Sequence, residues 1–215
     1  MLKLAIDTMS KGLRIDNYRL YTKKVLRGRF REEVNVDLWL RKNNADVHLM
    51  FLKVFYGRPP YYKPWVEFFN INEHVKIKNM EIDYFDSPVE TALLQLFAQH
   101  IEPGENMFVE YDNDKETKKQ LEVGFPEPVS RLGYKLFNLG FTWFKDWYFP
   151  EGFMEGDQKL QAEKPLNETQ KMRHLERIAH HVQAFLERIN ERSSEWYAER
   201  TLERAHSILR KLSDN

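Results

Sequence analysis

Trp143, Lys145 and Trp147 recur at every second position of the segment GFTWFKDWYFPEGFMEGDQKLQAEK, so in a strand they share one face, with a cation between two indoles. Such a trio can hold an anionic or aromatic ligand through charge and ring contacts. The plainer alternative is a lysine stem lying over exposed tryptophans. Seven aromatic residues fall between positions 140 and 164, among them acids and lysines. Lys145, Asp146, Glu151 and Glu155 would be costly to bury unless paired or used, so the segment reads as the wall of a pocket. Lys159 is expected to face that wall from the partner strand of a hairpin that turns between residues 151 and 156.

A second chemical grouping is acidic. Glu110, Asp112, Asp114 and Glu116 cluster just after the short apolar run NMFVEY, at the carboxyl end of a strand, where open α/β sheets usually place their sites. Asp112 and Asp114 could hold a divalent ion, or the cluster is a solvated turn. The seven histidines offer less. His180 and His181 are adjacent and point about 100° apart on a helix, His174 is two turns from His181, and HExxH is absent. With no G-x-S-x-G to anchor a catalytic serine, metal and hydrolase chemistry are both set aside.

Composition narrows the setting. A chain of 215 residues with 42% apolar and 31% charged residues can build one sizeable core with an appendage. Thirty-three basic and thirty-three acidic residues cancel, so no overall field draws in a phosphate backbone, and no nucleic-acid partner is expected. The local run KKVLRGRFR, Lys23 to Arg31, is either a solvated helix end with a turn at Gly28 or a phosphate-contacting patch. The absence of cysteine excludes disulfides and thiolate chemistry and fits a reducing compartment. The apolar run at the N-terminus is short for a signal peptide, and no eighteen apolar residues follow one another, so a cytoplasmic protein without membrane contact is expected.

The elements that must position these residues are read from periodicity. Residues 11 to 27 carry a helical pattern in Leu13, Tyr18, Leu20 and Tyr21. Val34, Val36, Leu38 and Leu40 alternate with polar residues in a strand with one wet side, and residues 46 to 56 are apolar on both faces. KPWVEFFNI predicts a third strand. In VKIKNMEIDYF the apolar phase slips near Lys78 and Asn79, which marks a β-bulge in one fourth strand or a break between two strands. Ser87, Pro88 and Glu90 open a helix with a capping box, Pro103-Gly104 stops it, and NMFVEY is a buried strand. A helix from Pro128 to Leu139 leads through Gly140-Phe141 into a sixth strand, and QKLQAE pairs back on it. After Pro165, Asn167 with Gln170 and the spacing of Leu175, Ile178, Val182, Phe185 and Ile189 predict a helix, and a second follows, carrying Trp196, Leu202, Ala205, Leu209 and Leu212.

This order of helix, four antiparallel strands, helix, strand, helix and two strands resembles the GNAT superfamily of acyl-CoA-dependent N-acyltransferases over residues 11 to 164. SRLGYKLFNLGF is similar to the helix that runs into Gly-Phe before the sixth strand of that fold. Residues 140 to 165 also resemble an uncharacterised archaeal family designated only as a domain of unknown function. The GNAT resemblance implies a bulged fourth strand that parts from the fifth, with an acyl-CoA, acetyl-CoA or another, in the gap. Ile82, Asp83 and Tyr84 would then face the cofactor, with its pyrophosphate at the helix that begins at Ser87. It also implies Glu110 as general base on an amine. The family's acid tyrosine would stand at position 136, where this chain has Leu136, so Tyr134 is the nearest phenol. The family's glycine-rich loop is replaced by FDSPVETA.

The expectation is therefore an α/β (α+β) fold: a GNAT-like mixed sheet of about six to seven strands flanked by helices over residues 1–165, and a C-terminal helical hairpin over 166–215 that packs on it or builds a homodimer. The expected activity is N-acyl transfer to a small-molecule or protein amine. The alternative is a noncatalytic or small-molecule-binding protein on the same scaffold, and a methyltransferase-like protein is the second alternative. The expected site comprises Glu110 and Tyr134 for catalysis; Ile82, Asp83, Tyr84 and Ser87 for cofactor; and Asp112, Trp143, Lys145, Trp147, Glu151 and Lys159 for substrate.

Overall fold

The computed structural model describes residues 1–28, 32–57, 62–77, 80–147, 158–190 and 197–213. Helix α1 (Leu2–Lys11) leads into strands β1 (Leu13–Ile15), β2 (Tyr18–Arg27), β3 (Glu33–Lys42), β4 (Ala45–Phe55) and β5 (Trp65–Phe69). A separate hairpin, β6 (His74–Ile77) and β7 (Met80–Asp83), precedes α2 (Pro88–His100) and β8 (Asn106–Glu110). Then come α3 (Lys115–Glu122), a 3-10 turn at Glu127–Val129, α4 (Arg131–Asn138), β9 (Trp143–Trp147), β10 (Lys159–Glu163), α5 (Glu168–Asn190) and α6 (Tyr197–Ser213). Among the described residues, no helix is long and apolar enough to cross a membrane.

Eight strands form one mixed sheet in the order β1-β2-β3-β4-β5-β8-β10-β9. Every neighbouring pair is antiparallel except β5 and β8, which run parallel because α2 carries the chain back across the sheet between them. Alternation sorts the side chains: Val36, Leu38, Leu52, Val54, Val66, Phe68, Met107, Leu160 and Ala162 are buried on one face. The helices pack there, as the edge-to-face contact of Phe68 with Phe97 of α2 shows, and α1 adds Leu2, Ala5, Ile6 and Met9 to the same core.

Two elements differ from the sequence reading. Residues 13 to 27 form strands, not a helix, because the chain turns at Asp16 (φ 49°) and β2 carries a bulge between Thr22 and Lys24 that breaks its alternation. Residues 74 to 83 are two strands rather than one bulged strand. The slip at residues 78 and 79 lies outside the described residues, and on either side of it Ile77 pairs with Met80. This hairpin stands apart from the large sheet, and the place beside β8 belongs to β5, whose register runs from Trp65 opposite Asn106 to Phe68 opposite Val109.

The C-terminal helices fold back onto the sheet-bearing part. Asn167 Oδ1 accepts from the Gln170 N–H at 2.8 Å to open α5, whose Ile178, Val182 and Phe185 enter the common core, as do Ala205 and Ile208 of α6. Polar contacts fasten α6 to α3 and α4: Gln120 donates to Thr201 at 3.0 Å, Arg204 meets Glu116 at 2.7 Å, and the Tyr134 hydroxyl meets Ser207 at 2.9 Å.

Under these helices lies a buried ionic cluster. Arg131, at the first turn of α4, is 2% exposed, and its guanidinium reaches Glu90 with two nitrogens at 2.8 and 2.9 Å, Asp114 at 2.9 Å and Asp86 at 3.0 Å. Lys135, one turn on, adds contacts of 2.5 Å to Glu90 and 2.7 Å to Asp86. Ser87, Asp114 and Ser130 cap α2, α3 and α4, so three helix starts converge on one cation. Burial alone would raise the carboxyls of Glu90 and Asp86, yet Arg131 and Lys135 outweigh it and hold both below the usual range.

Two outcomes follow for stability. Arg131→Met strands buried carboxylates and is expected to cost about 3–5 kcal/mol in urea unfolding; a loss under about 1 kcal/mol would contradict the assigned role. A carboxylate depressed in the folded state contributes stability above its unfolded value, roughly pH 4, and loses it as pH falls through the folded value. Wild-type stability should therefore decline on acidification below about pH 4, and this decline should be smaller in Arg131→Met. Parallel pH profiles for the two proteins would count against the cluster.

Candidate functional site

The face of the sheet opposite the helices is neither buried nor ordinary surface. Registers align Phe51 with Phe69, Lys53 with Glu67 and Phe55 with Trp65 across β4 and β5, and continue through Asn106 and Phe108 of β8 to Gln161 and Glu163 of β10. Most of these side chains are half-buried. Rings stack or meet edge-on along it: Phe51 with Phe69 at 5.8 Å, Phe55 with Trp65 at 5.8 Å, Trp65 with Phe108 at 6.0 Å. Charges run between the rings, with Lys159 2.5 Å from Glu67, and Lys53 3.9 Å from the same carboxylate.

The expected tryptophan-lysine trio sits at one margin of this face. Trp143, Lys145 and Trp147 of β9 lie opposite Glu163, Gln161 and Lys159 of β10. Lys145 Nζ stands 3.7 Å from the centre of the Trp147 ring, whose indole N–H donates to Gln161 at 2.8 Å, and Gln161 donates in turn to Asn106 at 2.8 Å. The indole is thus fixed in orientation from behind, while Lys145 is exposed. Lys159 is opposite both Trp147 and Glu110, so Trp147, Lys159 and Glu110 form one cross-strand row. Glu151 lies outside the described residues.

The remaining expected residues scatter. Glu110 accepts the backbone N–H of Asn70, a residue with φ 49° where the chain leaves β5. Tyr134 belongs to α4, against Ser207, and so lies on the helical side of the sheet, away from Glu110. Burial alone would raise its phenol, but hydrogen bonds to Ser207 and Asn138 and the charges of Lys211 and Arg204 lower it. Asp112 accepts the Gln158 N–H at 2.9 Å, whereas Asp114 turns inward to cap α3 and meet Arg131, so the two carboxylates do not make a pair.

Ile82 and Asp83 lie in β7, within the separate hairpin, where Asp83 pairs with His74 at 2.7 Å. Tyr84 is buried, and burial with the nearby Glu90 charge pushes its phenol up. Ser87 Oγ accepts the Glu90 N–H at 3.2 Å, and Glu90 accepts the Asp86 N–H at 2.8 Å. The start of α2 therefore has its donors occupied and two carboxylates beside it, the reverse of what a pyrophosphate needs. The structure brings none of these four residues beside β8.

Sequence reasoning missed two groupings. The bulge that skips Leu49 in β4 sets His48 against Trp39, and His48 Nε2 lies 3.0 Å from Asp37, which also accepts the Trp39 indole N–H at 2.8 Å. No periodicity announced it, since residues 46 to 56 read as apolar on both faces. On the helical side, Tyr111 donates to Asp146 at the edge of a cavity of about 320 Å3 lined by Phe125, Glu127, His181 and Arg188. Burial raises the Asp146 carboxyl, and the Tyr111 hydrogen bond only partly offsets this. Among the described residues, no group of three His, Cys, Asp or Glu side chains is placed to hold a metal.

A protein of unknown function from Aquifex aeolicus VF5, known from its crystal structure, is 37% identical to this chain, with a TM-score of 0.81 and coverage of 96% of this chain and 98% of that one. No curated protein is significantly similar. The model of a family described as protein of unknown function, DUF1122, matches residues 16–189. Matched over that span, the chain belongs to the DUF1122 family.

Proposed function

We propose that the protein binds a small anionic aromatic molecule at the Lys145–Trp147 margin of the helix-free sheet face, as a binding protein without acyl-CoA chemistry. The observation that carries this reading is the fixed indole of Trp147, oriented through Gln161 and Asn106, with an exposed ammonium 3.7 Å from its ring. A fixed ring next to a cation can stack an aromatic body and meet its charged group together. The occupied start of α2 and the paired β5–β8 ladder argue against a cofactor entering between those strands.

One observation favours the N-acyltransferase reading as a second. The Asn70 N–H turns to the Glu110 side chain, so past Phe68 and Val109 the two backbones no longer pair. In that reading Glu110 would take a proton from the amine, the nitrogen would attack the thioester carbonyl, and the carbon–sulfur bond would break, the CoA thiolate leaving and taking the proton back from Glu110. The single parallel pair among the described strands weighs against a methyltransferase-like reading.

Anilinonaphthalene sulfonate, an aromatic anion whose fluorescence rises on binding, tests the first reading with the intact chain. Saturable binding is expected, weakened about tenfold by Lys145→Ala or Trp147→Ala, with the melting temperature unchanged in Lys145→Ala. Unaltered binding in both variants would sink it. Acetyl-CoA at millimolar concentration should raise the melting temperature no more than inorganic pyrophosphate at the same concentration does. A ligand at about 100 times its dissociation constant adds roughly 2.7 kcal/mol, so a clear excess over pyrophosphate would favour the second reading.

A further inference from the structure

Arginines stand opposite one another on three successive strands. The registers pair Arg14 of β1 with Arg19 of β2, and Arg19 with Arg41 of β3, before the row ends on Asp46 of β4. All three arginines are exposed. Like charges directly opposite one another in neighbouring strands destabilise a sheet.

The row lines an open pocket of about 720 Å3 at the end of the sheet, bordered by the β1–β2 turn at Asn17 and the β3–β4 turn at Asn43 and Asn44. Lys42 adds a fourth cation, its Nζ 4.6 Å from the Tyr18 ring centre, and no acid is among the lining residues that are described. In a chain whose charges sum to zero, this is a marked local excess. Asp46, opposite Arg41 in the row, is engaged by Arg41 through two contacts of 2.7 and 3.0 Å and by Lys23 at 3.4 Å. Arg19 is steadied by donating to the Lys11 carbonyl at the end of α1 at 2.7 Å. Arg14 has no hydrogen-bond or ion-pair partner among the described residues. Two guanidiniums are thus held in place and a third is available.

We infer that this cavity is an anion site for a small molecule bearing a phosphate or pyrophosphate group. Planar guanidiniums meet tetrahedral oxyanions through paired N–H donors, and a group with two or more negative charges relieves the repulsion along the row. A single carboxylate would leave most of that repulsion in place. The site lies at the opposite margin of the sheet from the Lys145–Trp147 corner and does not rest on the function proposed there. Of the basic run from Lys23 to Arg31, Lys23 reaches Asp46 at the end of the row, residues 29 to 31 lie outside the described residues, and the row itself uses residues 14, 19 and 41.

Calorimetric titration of the full chain with inorganic pyrophosphate at low salt tests the assignment. One-site binding that weakens with added salt is expected. Arg14→Gln should weaken it about tenfold and leave the melting temperature of the unliganded protein equal or higher, because the substitution removes a like-charge neighbour. A purely structural arginine would do the reverse. Absence of binding at millimolar pyrophosphate, affinity unchanged in Arg14→Gln, or tighter binding of a single-stranded oligonucleotide than of pyrophosphate would each overturn the assignment.

Discussion

The guanidinium of Arg131 is the tie on which the helical layer depends. It meets carboxylates from the segment before α2, from α2 itself and from the cap of α3, while its own backbone N–H donates to Gln120 at 2.8 Å. A buried ion pair is weak evidence of stability in itself, because desolvation opposes the Coulomb gain. Its directional demand is what matters. Three helices must start at fixed positions for one planar fork to be satisfied, and that requirement sets how they lie over the sheet. It also occupies the start of α2, where the Asp86 and Glu90 N–H groups donate to Glu90 and Ser87.

The other face of the sheet is differently made. An antiparallel sheet needs only one buried face. Here the second face carries rings, an ion-paired lysine row and an arginine row, each aligned by strand register rather than by nearness in sequence. The two margins differ in character. Around β9 and β10 an indole is fixed beside a single ammonium, and around β1 to β3 a polar cavity gathers guanidiniums.

Much of this was legible in the residues. The alternation of Val36, Leu38 and Leu40, the Ser87 and Asn167 caps, and the pairing of β9 with β10 all follow from local rules that tertiary contacts did not override. The mixed sheet and the C-terminal helices were expected, as was the shared face of Trp143, Lys145 and Trp147. What failed did so for stated reasons. The bulge near Lys23 hid the period of β2, and with it the register that lines up Arg19 with Arg41. The hairpin of β6 and β7 looked like one bent strand because a short turn and a bulge shift apolar phase in the same way. Arg131 gave no signal, since the carboxylates its guanidinium meets lie 17 to 45 residues away and no local pattern encodes such a contact.

The central claim is that β5 and β8 close on each other, leaving binding to side chains on the second face instead of to a ligand lodged between strands. Amide hydrogen exchange along β5 and β8, read residue by residue, tests it most directly. The account requires the amides between Trp65 and Phe68 and between Met107 and Val109 that bridge the two strands to exchange as slowly as those at the centre of β3 and β4. Rapid exchange there, with β3 and β4 still protected, would show strands that part in solution and would contradict the account.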